Sequence, residues 1–103
     1  MPVIVQHMQR LARPGHPEVL EIAPSHHCVV RFRQRRPVRE RGADVVAEAL
    51  IEVLQEADIS RWPPAWALNE RQTELWAVND GLAFPLEPSG PAGRFVATTC
   101  LSR

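Results

Sequence analysis

Prolines divide this chain before any other feature shapes it. A proline inside a helix removes a hydrogen bond and clashes with the preceding turn, and it pushes the residue before it toward extended backbone. Pro14-Gly15-His16-Pro17 and Pro24 bracket Glu18-Val19-Leu20-Glu21-Ile22-Ala23, a stretch too short for a full helix that forms one turn or a strand. Ser25 offers a side-chain oxygen to cap a helix, and Pro37 must stop it, so a helix is predicted between them. Further on, Trp62-Pro63-Pro64-Ala65-Trp66 makes a stiff aromatic loop that is neither helix nor central strand. The opening stretch, residues 2 to 11, has apolar spacing that fits a short strand or a first helix equally well.

Between these breaks the hydrophobic pattern takes over. From Asp44 to Ala57, residues Val46, Ala49, Leu50, Val53, Leu54 and Ala57 share one helical face, and Glu48, Glu52 and Glu56 share the other. Asp44 is the expected cap of this second helix. Thr73 to Asn79 and Leu82 to Leu86 read as strands around Asn79-Asp80-Gly81, a tight-hairpin signal. Pro85 removes a ladder donor, which puts the second strand at an edge or beside a bulge. After Pro88-Ser89-Gly90-Pro91-Ala92-Gly93, a third strand runs from Arg94 to Leu101. The expected fold is α+β, with N-terminal helices packed on a C-terminal antiparallel meander of three or more strands. It forms one domain over residues 1–103: an irregular segment over 1–24, two helices over 25–58 and antiparallel strands over 73–101.

Charge is balanced overall but not along the chain. The formal net charge is +0, which argues against a nonspecific nucleic-acid binder. Residues 1–41 nevertheless hold eight arginines against three glutamates, and residues 42–103 hold four against nine acids. That asymmetry predicts a basic surface with an acidic counterpart, within the chain or on a partner. No apolar run reaches membrane-spanning length and no secretion signal opens the chain, so a cytoplasmic protein without membrane contact is expected. Cys28 and Cys100 are expected as reduced, buried thiols.

The functional signal lies in the first helix. His27, Arg31 and Arg35 recur at steps of four, so on a helix they span an arc of roughly 80°. Cys28, Val29 and Phe32 occupy the next sector, which places the stripe where a buried face meets solvent. A helical His-x-x-x-Arg-x-x-x-Arg, followed by a second amphipathic helix and a final strand ending Thr98-Thr99-Cys100-Leu101-Ser102-Arg103, resembles the small metal-independent ribonuclease toxins of the barnase, colicin and RelE type. It is similar in particular to compact domains whose first helix carries an HAxxRxxxR pattern, here with Cys28 in place of the alanine. The resemblance runs over residues 25 to 103 in order of elements. It leaves the N-terminal segment and the Trp-Pro-Pro-x-Trp loop unexplained.

What the resemblance implies is RNA cleavage without a metal or other cofactor, in a protein neutralised by a cognate antitoxin. Histidine can move a proton near neutral pH, and arginine can clamp phosphate in a bidentate geometry. His27 is then the general acid or base, Arg31 the phosphate clamp, and Arg35 a second clamp or backbone contact. A hydroxyl from Thr98 or Thr99 completes the site from the last strand, while Arg103, Trp62 and Trp66 are candidate RNA contacts, the tryptophans by base stacking. The competing reading is a non-catalytic module that binds protein or nucleic acid. In that module, of phage or mobile-element origin, the basic helix and the Trp-Pro-Pro-x-Trp loop bind the partner; in a purely structural reading the arginines instead pair with Glu48, Glu52 and Glu56, and the tryptophans cover the end of a core. His26-His27-Cys28 superficially suggests a metal, but adjacent helical residues point in different directions, and His7, His16 and Cys100 add no ligand spacing. No metal site is expected, nor a nucleophilic Cys28.

Overall fold

The computed structural model describes residues 11–36, 42–67 and 73–103. Residues 2–10 of the opening stretch, and Pro37, lie outside them. The described chain forms β1 (Glu21–Pro24), α1 (His26–Arg35), α2 (Ala43–Gln55), β2 (Asp58–Ser60), β3 (Leu75–Asn79), β4 (Leu82–Pro88), β5 (Arg94–Ala97) and β6 (Leu101–Ser102). The six strands make one sheet in the order β1-β5-β4-β3-β2, with β6 also on β4.

This is not the expected arrangement of helices first and an antiparallel meander after. A strand precedes the helices, which sit in the middle of the chain, and the sheet is mixed because β1 pairs parallel with β5, Ile22 opposite Phe95. The local sequence Glu-Ile-Ala-Pro gives no hint of a partner some 70 residues away. A further strand, β2, pairs antiparallel with β3 through Ile59 and Ala77; at three residues it is too short for an alternation signal.

The helices cover one face of the sheet. Ile22, Ala77, Phe84, Leu86, Phe95 and Ala97 join Cys28 and Phe32 of α1 and Val46, Leu50 and Leu54 of α2 in the main core. Side chains alternate along a strand, so Trp76 and Ala83 point to the opposite face. There they meet Ala67, Trp66, Val78 and Leu101 in a second, smaller cluster. Both faces of β3 and β4 are therefore dry, which is why Leu82 to Leu86 is buried at every position.

The hairpin forms as its sequence predicts. Asn79 pairs with Leu82, and the two residues between them take positive φ, 51° at Asp80 and 77° at Gly81, the backbone of a two-residue primed turn. Asp44 does not cap α2. Gly42 holds that position without a side-chain bond, and Asp44 lies in the first turn, where its charge still favours the helix N-terminus.

Pro85 organises the other side of β4, which is a central strand. Leu86 pairs with Ala97 and Ala83 with Leu101, so two residues of β4 face three on the partner, Thr98 to Cys100. That extra residue is a bulge, and it divides the expected third strand into β5 and β6. Thr98 N–H donates to Pro85 O at 3.1 Å, but proline has no N–H to return to the Thr98 carbonyl. The Ser25 hydroxyl donates to it instead, at 3.0 Å, while its oxygen accepts the Cys28 N–H, also at 3.0 Å. One side chain therefore caps α1 and satisfies the carbonyl that Pro85 leaves open.

Candidate functional site

Burial fixes the roll of α1. Cys28 and Phe32 are fully buried and define the inward direction. At about 100° per residue, Arg36 falls about 40° to one side of Phe32, while Arg35, Arg31 and His27 fall about 60°, 100° and 140° to the other. The contacts agree. Arg36 lines a groove with α2, donates to Asp80 O at 2.9 Å and pairs with the Asp80 carboxylate at 3.0 Å. Arg35 turns the opposite way, and its Nε lies 3.5 Å from Cys100 O in the bulge, at the long limit of a hydrogen bond.

The stripe therefore faces the final strand and not the second helix. After β1 ends, α1 continues alongside residues 98–102, tied to them at Ser25–Thr98 and Arg35–Cys100. His27 is exposed, and Arg31 is half-buried with its guanidinium 3.2 Å from Gln34 Oε1. Thr98 belongs to the scaffold, its Oγ1 lying 3.5 Å from Pro85 O and its carbonyl held by Ser25. Thr99 is half-buried in the bulge. Arg103 is exposed and donates its backbone N–H to Gly81 O at 2.9 Å, at the turn that Arg36 also grips.

The tryptophans sit elsewhere. Trp66 packs on the sheet face opposite the helices with Ala67, whereas Trp62 stands 78% exposed, its backbone braced at both N–H and C=O by the Ser60 hydroxyl. The residues named from sequence thus separate into two groups. His27, Arg31, Arg35, Thr98, Thr99 and Arg103 lie along α1 and the last strand, while Trp66 packs across the sheet and Trp62 stands exposed in the loop after β2.

Charge pairing distinguishes the stripe from the rest of the surface. Arg13 and Arg94 both bind Glu21, Arg61 binds Glu18, and Arg36 binds Asp80. Two guanidiniums on Glu21, Arg94 first and Arg13 second, hold its carboxyl below the usual range. Arg31, Arg33, Arg35 and Arg103 pair with no carboxylate among the described residues, and α1 contains no acidic residue. The expected pairing of Arg31 and Arg35 with Glu52 and Glu56 is absent because the two sets occupy opposite flanks of α1.

Neither thiol is suited to nucleophilic or metal chemistry. Burial pushes the Cys28 thiol up, with a smaller push from Cys100. Burial also pushes Cys100 up to about 11, against the pull of Arg35 and Arg36. Among the described residues no three His, Cys, Asp or Glu side chains cluster as a metal site requires. No helix among them is long and apolar enough to cross a membrane.

The sequence reading missed Arg36 and the groove it lines. Its position four residues after Phe32 is the signal that could have found it. Comparison with known proteins finds no matching family model, no matching curated protein and no matching solved structure.

Proposed function

We propose that this chain binds single-stranded RNA through the flank of α1 that carries Arg31 and Arg35, with Arg103 at its border. The observation that supports this reading is that Arg31 and Arg35, side by side on one flank, pair with no carboxylate among the described residues, while Arg13, Arg36, Arg61 and Arg94 are each paired. Arg31 and Arg35 are one turn apart, an axial rise of about 6 Å, and each can grip a phosphate through two parallel N–H bonds. An open flank beside a strand suits an extended backbone better than an enclosed small molecule.

His27 on the same flank supports a second reading, metal-independent cleavage. Its imidazole would take the ribose 2′-OH proton as the 2′-oxygen attacks phosphorus, Arg31 would stabilise the phosphorane charge, and the 5′-oxygen would leave with a proton from water. Thr99 in the bulge is the hydroxyl that would join it, since Thr98 is engaged in the scaffold.

Fluorescence anisotropy with a labelled 20-nucleotide RNA tests the binding reading. Replacing Arg31 and Arg35 together by alanine should weaken binding at least tenfold, and Trp62→Ala should leave it unchanged. Equal binding by wild type and the double-arginine variant would refute it. Gel analysis of the same RNA in EDTA tests cleavage: wild type should give products, and His27→Ala should give none while still binding. Intact RNA with wild type removes the cleavage reading and leaves the binding reading standing.

A further inference from the structure

The groove on the other flank of α1 has the opposite character. It is an open depression of about 540 Å³ between α1, α2 and the hairpin turn, floored by Phe32, Ala49 and Val53 and rimmed by Glu52 and Glu56. Glu52 and Glu56 stand one turn apart on α2, matching the spacing of Arg31 and Arg35 on α1, and neither makes an ion pair among the described residues. Arg36 and Asp80 neutralise each other at the remaining edge.

We infer that this groove receives the Arg31–Arg35 flank of a second copy of the chain. The complementarity is one of charge and spacing: two guanidiniums a helical turn apart meet two carboxylates a helical turn apart. The aliphatic arms of the arginines cover Ala49 and Val53. A chain whose formal charge is zero but whose halves carry about +5 and −5 has little net repulsion to oppose the contact. The two surfaces lie on opposite flanks of one helix, so a single copy cannot satisfy both. The contact is head-to-tail, and assembly continues into a ring or a short chain. Its consequence for function rests on the RNA reading: association covers the arginines that would hold phosphate, so assembly and RNA exclude one another. The association itself does not rest on RNA and is measured without it.

Sedimentation velocity on the intact chain, without nucleic acid, tests the inference. At about 25 mM salt the weight-average mass should rise above 11.6 kDa with concentration, and at about 500 mM it should return to the monomer, where the Debye length has shrunk to a few ångströms. R31E/R35E and E52R/E56R should each be monomeric at low salt, because each sets like charge against like. Mixing them should restore association. A wild type that stays monomeric at millimolar concentration and low salt overturns the proposal. So does an assembly indifferent to salt, or a mixture of folded variants that stays monomeric. Circular dichroism on each variant establishes folding, and the wild-type salt series does not depend on either variant. Failure here leaves the RNA measurement untouched.

Discussion

Ser25 shows how much one hydroxyl can hold. It caps α1 by accepting from Cys28 N–H and donates to the carbonyl that Pro85 cannot serve. Replacing it by alanine removes the cap and leaves a half-buried carbonyl unpaired, a loss of about 2 kcal/mol, measurable by urea denaturation. The cap was legible in the sequence, since serine follows proline at the start of a helical pattern. The second bond was not, because it needs the bulge, which exists only when Pro85 meets Thr98. The two thiols make a separate prediction at this scale. An unfolded thiol titrates near 9.0, and burial raises both Cys28 and Cys100 above that value. Below pH 9 both states keep their protons and the contribution to stability is whole. Above it the unfolded chain loses protons that the folded chain retains, so stability falls as pH rises, for Cys100 between about 9 and about 11. Urea midpoints from pH 8 to 11 should decline, and Cys100→Ala should flatten part of the slope.

At the scale of elements, α1, the hairpin and the bulge form one unit. Helix α2 was legible from its period, and the Asp80-Gly81 turn from its residue types, because both are set by neighbours in sequence. Strands β1 and β2 were not, since each is defined by a distant partner. The roll of α1 was only half legible: Cys28 and Phe32 marked the inward face, but which flank met the last strand depended on the parallel pairing of β1 with β5. That pairing sends the chain from Pro24 straight into a helix alongside residues 98–102, and so turns His27, Arg31 and Arg35 away from the glutamates of α2. A double-mutant cycle tests the coupling of these elements. Pro85→Ala supplies an N–H facing the Thr98 carbonyl, so Ser25→Ala should cost about 1 kcal/mol less in that background than in wild type. Additive losses would mean that Pro85 and Ser25 do not share that carbonyl.

For the whole molecule, the decisive property is the placement of charge. Arg36, Glu21 and Glu18 bind opposite charges and secure the turn, the β1–β5 edge and the loop after β2. One flank of α1 is left basic and the groove on its other flank acidic. The sequence signalled the imbalance between its halves, but only the fold shows that the two surfaces are kept apart by the helix between them. The most direct test of the proposed RNA-binding flank is the salt dependence of its affinity. If Arg31, Arg35 and Arg103 each neutralise one phosphate, the log of the binding constant for single-stranded RNA should fall with log salt at a slope of about −2. Substituting Arg31 and Arg35 by alanine should reduce that slope to about −0.7. A slope near zero in wild type, or one that the double substitution leaves unchanged, would contradict the assignment of this flank to RNA.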